Sequence, residues 1–280
     1  MRLSCLPVTF FGAISQGQMP LAEWMDFAAE LGLDGIECGP LLVKPLGPAT
    51  PAEFRRLADA RGLAVSNYTG YSDFAHPDRE VRKLELAALL TNLQVARELG
   101  SPSVRALTGQ QWPGVGPEEG IRWVIEGVRQ AAEEADRMGL RVNVENHTKA
   151  ATWTHFDFAM QGDIFLRIME GLRGAPVGVQ FDIANPLVAR EDVLALFEQV
   201  RSRIGYVHLN DVRQVGVFEF VPVGTGLAPL REVLSRLNEQ GYAGWVGIEE
   251  ASRTGREGFR QAVRSSREVM ESISAGRQKL

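Results

Sequence analysis

RVNVEN, residues 141–146, shows the repeating pattern of this chain most plainly together with its flanks. Ahead of it, residues 117–138 carry apolar side chains at helical spacing and stop at Gly139. RVNVEN itself is a short β-branched run of the kind that makes a buried strand. The same unit of strand, amphipathic helix and closing glycine recurs along the chain. Strand-like runs fall at residues 3–10 (LSCLPVTF), 34–38 (DGIEC), 63–68 (LAVSNY) and 103–107 (SVRAL). Beyond RVNVEN they fall at 177–182 (VGVQFD), 204–209 (IGYVHL) and 244–249 (GWVGIE). Helical patterns sit near 21–31, 51–61, 78–99 and 117–138, with one after each later strand. Gly32, Gly62, Gly100, Gly139 and Gly241 stand where a left-handed residue ends a helix before the next strand.

Eight such units over 280 residues leave about 35 residues each, close to the roughly 30 a strand–helix–strand element needs. The runs show little alternation, as parallel strands covered on both faces should. An open doubly wound sheet is the rival, but no GxGxxG phosphate turn follows the first strand. The expected fold is therefore a (β/α)8 TIM barrel, α/β in class, with residues 1–280 as a single domain.

Composition narrows the function classes. Hydrophobic residues make up 45% of the chain and charged ones 23%, enough for a sizeable core. A net charge of −5 argues against a nucleic-acid partner, which needs a basic surface. No run is long and apolar enough to span a membrane, so no membrane partner is expected. The N-terminal MRLSCLPVTFFGAIS is interrupted by Pro7, Ser4 and Thr9 and reads as a core strand, not a secretion signal. Cys5 and Cys38 form no CxxC pair and read as small buried hydrophobes. The expected location is the cytoplasm, and a homo-oligomer is compatible with this composition.

In such barrels chemistry sits at the C-terminal ends of the strands. Four successive ends deliver Glu145, Asp182, His208 and Glu249. Three carboxylates and one imidazole converging on one mouth would repel one another without a cation. Oxygen-rich donors with one nitrogen and no thiol suit Mn²⁺, Mg²⁺ or Co²⁺, with Zn²⁺ also compatible. Each of the four taken singly could instead be a hydrogen-bonded strand-end residue.

VNVENH (142–147), FDIANP (181–186), YVHLND (206–211) and GYAGWVGIEE (241–250) resemble the strand-end signatures of the xylose-isomerase-like TIM barrels, the sugar phosphate isomerase/epimerase superfamily. The VPVGTG loop at 221–226 is similar to that family's glycine loop. The resemblance runs in order through nearly the whole chain. It implies that Glu145, Asp182, His208 and Glu249 hold one divalent metal, and that Glu145 and Glu249 double as the proton-transfer pair. One position departs from the pattern. Several epimerases of the family carry DxxH, whereas DIAN here places Asn185 at that point, which weakens an assignment to the ketose 3-epimerases.

The expected reaction is isomerisation or epimerisation of a small sugar or polyhydroxylated ketone through an enediolate. Asn185 could bond a substrate hydroxyl, and Glu37 and Arg105 stand near the ends of their strands. His147 either faces the mouth or serves as a loop histidine. Arg213 either reaches the substrate or pairs with Asp211. Trp112, in the loop TGQQWPGVGP, either covers a sugar face or packs at the surface. His76 and His155 carry no assignment. A dehydratase of the inosose or dehydroshikimate type would use the same site and expel a β-hydroxyl. An endonuclease IV-like enzyme needs more than the four His this chain has, and a non-catalytic sugar-binding barrel has no use for two carboxylates on a metal.

Overall fold

Pro7 ends the first strand sooner than its apolar run suggests. In the computed structural model, which describes residues 1–150 and 152–277, β1 spans Arg2–Leu6, and Val8–Phe10 form a single 3-10 turn. Proline has no N–H to give a neighbouring strand, so the ladder stops there. The other strands are β2 (Gly35–Cys38), β3 (Ala64–Tyr68), β4 (Ser103–Ala106), β5 (Arg141–Glu145), β6 (Val177–Asp182), β7 (Ile204–Leu209) and β8 (Trp245–Glu249). All pair in parallel, in the order β1-β8-β7-β6-β5-β4-β3-β2. At the seam between β1 and β2, Asp34 closes the ring: its N–H donates to Leu3 O at 2.9 Å and its carboxylate accepts Leu3 N–H at 2.8 Å. The result is a nearly closed, single-domain (β/α)8 TIM barrel.

Helices return the chain between strands: Leu21–Glu30, Pro51–Asp59, Arg79–Leu99, Pro117–Arg137, Gly162–Gly171, Val193–Val200, Leu230–Glu239 and Gly255–Arg277. Their starts follow from the sequence. Thr50 and Glu53 form a reciprocal capping box, and Asp78 and Asp192 accept first-turn N–H groups. Gly100 ends the Arg79–Leu99 helix at φ 71°, ψ 21°, a conformation only glycine adopts without strain. The apolar core lies between barrel and helices. Phe10, Trp24, Phe27 and Phe259 pack there with ring centroids 5.0–6.4 Å apart.

Inside the barrel the packing is polar, which corrects the expectation of little alternation. Outward positions are apolar, as in Val142 and Val144 or Val246 and Ile248, while inward positions carry hydrogen-bonding groups. Bonds between non-adjacent strands cross the interior: Ser4 and Ser66 meet Tyr206 Oη at 2.7 and 3.0 Å, and Asn67 donates to Gln180 Oε1 at 2.9 Å. Between neighbouring strands, Ser103 donates to Asn67 Oδ1 at 2.8 Å. The inner face is polar and largely cross-linked by hydrogen bonds, with the Asn143 amide buried there without a partner.

Candidate metal centre

The parallel register brings the strand ends to one level. Glu145 pairs with Gln180, Asp182 with His208, and Glu249 closes the ladder against Leu6. One donor atom from each of Glu145, Asp182, His208 and Glu249 lies within 4.8 Å of the other three. The first three side chains are fully buried, whereas that of Glu249 is 16% exposed and faces the mouth.

Each member has defined partners. Glu145 Oε2 accepts Arg105 Nη1–H at 2.8 Å, and its Oε1 lies 2.8 Å from His208 Nδ1 and 3.2 Å from Gln180 Nε2. Arg105 donates also from Nε to Gly70 O at 3.1 Å, and its guanidinium sits 5.1 Å from the centre of the Tyr71 ring. Glu249 Oε2 accepts Asn210 Nδ2–H at 3.0 Å and stands 3.7 Å from His208 Nδ1. Asp182 Oδ1 accepts the N–H groups of Ala184 and Asn185, which caps the turn after β6. Its other oxygen, Oδ2, is buried with no hydrogen-bond partner.

Electrostatics follow from those contacts. Burial works to raise the pKa of Glu145, but Arg105 and then His208 outweigh it and hold the carboxyl well below the usual range. Asp182 goes the other way: burial first, then Glu249 and Glu145, push its pKa well up. Burial and the Glu145 charge also raise Glu249. Burial opposes a charge on His208, yet Glu37, Glu145 and Glu249 overcome it and drive its pKa well above the ordinary imidazole value.

An unpartnered buried carboxylate oxygen is costly in isolation and natural as a cation ligand. Three oxygen donors and an imidazole nitrogen, with no thiol, fit a divalent cation of the Mn²⁺, Mg²⁺, Co²⁺ or Zn²⁺ type. The cluster can therefore hold a metal ion.

The remaining expected residues are placed less uniformly. His147 is 8% exposed, with Nδ1 3.3 Å from Asp157 Oδ2 and its ring edge-on to Trp153. Asp157 is held by Thr108 Oγ1–H and Ala159 N–H. The carboxylate of Glu37 is fully buried against His208, Thr69 and Asn67. Asn185 ties loops together, donating to Asn146 O at 3.0 Å and accepting Thr148 Oγ1–H at 3.0 Å. Trp112 donates Nε1–H to Asp73 Oδ2 at 2.9 Å and is flanked edge-on by His76 and His155. Arg213 is exposed and has no ion pair among the described residues; Asp211 instead accepts N–H groups of Val212, Gly224, Gly226 and Ala228, bracing the VPVGTG loop.

Sequence reading alone passed over Gln180, Asn146 and Asn210. Asn146 brackets the Asp182 backbone from β5, with Oδ1 accepting its N–H and Nδ2 donating to its carbonyl, both at 2.9 Å. A signal for Gln180 exists: it lies two residues before Asp182 on an apolar strand, so both point inward.

The family model described as "Xylose isomerase-like TIM barrel" matches residues 25–272. The chain belongs to that family. Within it, a Streptomyces coelicolor protein provisionally named a hydroxypyruvate isomerase is 28% identical over 248 residues, covering 83% of this chain and 86% of that one. The inosose dehydratase of Erwinia tasmaniensis is 26% identical over 232 residues, covering 72% and 74%. The fructoselysine 3-epimerase of Escherichia coli O157:H7 is 21% identical over 243 residues, covering 83% and 86%. Among solved structures, an L-ribulose 3-epimerase superposes with a TM-score of 0.79 at 15% identity, covering 99% of this chain and 97% of that one. At such identity the superposition shows the fold. Relatives in this xylose isomerase-like family are thus isomerases, epimerases and dehydratases. No described helix is long and apolar enough to cross a membrane.

Proposed function

We propose that the chain is a divalent-metal-dependent isomerase or epimerase of a small sugar or polyhydroxylated ketone. The observation that carries this reading is the convergence of Glu145, Asp182, His208 and Glu249 at the barrel mouth, with Asp182 Oδ2 left unpartnered. These four residues would hold the ion. When bound, it supplies electrostatic stabilisation to the oxygens of an enediolate as charge develops beside the carbonyl.

The protein groups handle the proton. Glu249 is the cluster member reachable from the mouth, and its raised pKa makes it the stronger base. Glu145 is held ionised beside Arg105 and is assigned as its partner across the substrate. Environments that push two carboxyls apart in pKa support an acid–base pair with distinct roles. Asp182 and His208, fixed by backbone and buried contacts, serve as ligands. His147 lies two residues after Glu145 and is assigned to a substrate oxygen, with Asp157 orienting its ring. Arg213 and Trp112, on loops at the same end of the barrel, are assigned to substrate binding from the rim.

A dehydratase remains the second reading, favoured by the inosose dehydratase among the relatives. Proton loss beside a carbonyl is shared, and only departure of a β-hydroxyl differs. Incubating the Mn²⁺-loaded protein with ketoses, aldoses, inosose and dehydroshikimate in D₂O, followed by proton NMR, separates the two. Deuterium entering the carbon beside the carbonyl without loss of water supports the isomerase. An unsaturated product assigns the dehydratase, and no exchange with any of these compounds sinks both.

A further inference from the structure

We infer that Glu37 is a positioning residue: its buried carboxylate takes the Nε2–H of His208 and thereby turns a bare Nδ1 toward the metal. The inference rests on the metal reading above. An imidazole has two nitrogens, and a neutral one carries its proton on only one of them; a metal ligand must present the other. His208 Nδ1 faces the carboxylate cluster, 2.8 Å from Glu145 Oε1 and 3.7 Å from Glu249 Oε2. His208 Nε2 points the opposite way, 3.1 and 3.0 Å from the two oxygens of Glu37. Glu145 is an acceptor at Nδ1 in the metal-free protein; once a cation takes Nδ1, the fixed carboxylate at Nε2 holds the remaining proton there and strengthens the donor at Nδ1.

The surroundings of Glu37 are built for that task. Thr69 donates its hydroxyl to Oε2 at 2.8 Å and Asn67 its amide at 3.3 Å, both from β3 or just beyond it. The register between β2 and β3 shifts between Ile36 and Glu37, an irregularity of the kind that re-aims a side chain. On β8, Gly247 leaves the room: a Cβ there would stand 2.3 Å from Glu37 Oε1. Glu37 meets His208 at the nitrogen away from Glu145 and Glu249, so its effect on the ion passes through His208.

The test is metal binding to the full chain without substrate. Isothermal titration with Mn²⁺ should show a Glu37→Gln variant weakened about 10- to 100-fold relative to the native protein. Nitrogen NMR of ¹⁵N-histidine-labelled protein loaded with Zn²⁺ should place the proton of His208 on Nε2, and that signature should weaken or shift in the variant. Should Glu37→Gln not fold, Thr69→Val keeps the carboxylate while removing a bond that orients it, and a several-fold loss of Mn²⁺ affinity is expected. Native protein that binds no metal would overturn the metal reading and this inference together. Native protein that binds metal, with variants of equal affinity and an unchanged His208 signature, would overturn this inference alone.

Discussion

Arg105 and Glu145 meet end to end across β4 and β5, Nη1 to Oε2 at 2.8 Å, with side chains 2% and 0% exposed. The guanidinium lies in the polar interior below the mouth and keeps the neighbouring carboxyl ionised despite its burial. Removing one member of a buried pair leaves an uncompensated charge. Arg105→Ala should therefore lower the stability of the metal-free protein by about 3 to 5 kcal/mol, read from urea unfolding. Adding Glu145→Gln to it should recover a good part of that loss, because the second change removes the orphaned charge. Two losses that simply add would show that the pair is not coupled.

Metal uptake should release protons and tighten as pH rises. Asp182 and Glu249 have raised pKa values through burial, and His208 has one raised by Glu37 and Glu145 against burial. Each therefore holds a proton more firmly in the folded, metal-free protein than in the unfolded chain. Their contribution to metal-free stability is full below the unfolded values, about 4 for the carboxyls and about 6.5 for the imidazole, and is lost as pH climbs through the folded ones. A cation must displace those protons, so its apparent affinity should rise with pH by up to about tenfold per unit for each proton displaced. Titrating Mn²⁺ in buffers of differing ionisation enthalpy counts the protons released. A count of zero with pH-independent affinity would contradict the assignment.

Sequence legibility divides along physical lines. The eight units show in sequence because helix periodicity and closing glycines are local signals, and Gly100 adopts the left-handed backbone its place in the pattern requires. Glu145, Asp182, His208 and Glu249 are legible because a charged side chain at the end of an apolar strand is conspicuous. The polar interior was also written there, in the alternation of RVNVE and VGVQFD, but β-branched neighbours mask it. Partner choice was not legible at all. That Glu37 serves His208, that Asn185 serves Asn146 and Thr148, and that Asp211 ignores Arg213 all depend on contacts between distant segments. No spacing along the chain encodes them.

Asp211 supplies a prediction about loop order. Its two carboxylate oxygens accept N–H groups of Val212, Gly224, Gly226 and Ala228 at 2.8–3.0 Å, joining the end of β7 to the VPVGTG loop. Asp211→Ala should cost about 2 kcal/mol by leaving part of that set without a partner. Faster proteolytic cleavage within residues 212–228 should accompany it. Arg213→Ala, at an exposed position, should stay within about 0.5 kcal/mol of the native protein while raising KM for the substrate. Equal destabilisation by both changes would mean that the two residues act as a pair after all.

The proton-transfer assignment is tested by replacing each glutamate with its amide. Glu249→Gln keeps the size and the contact with Asn210 but removes the base, so kcat should fall by about 100- to 10,000-fold in a chain that still folds. Glu145→Gln also leaves Arg105 facing a neutral group, so it should lose both turnover and stability. Solvent-deuterium exchange into the substrate, followed for each variant at saturating Mn²⁺, separates loss of proton transfer from loss of metal. A variant that retains Mn²⁺ but exchanges no deuterium has lost the proton step. Exchange at the native rate in either variant removes that glutamate from the role, because an amide cannot take up the proton a carboxylate accepts.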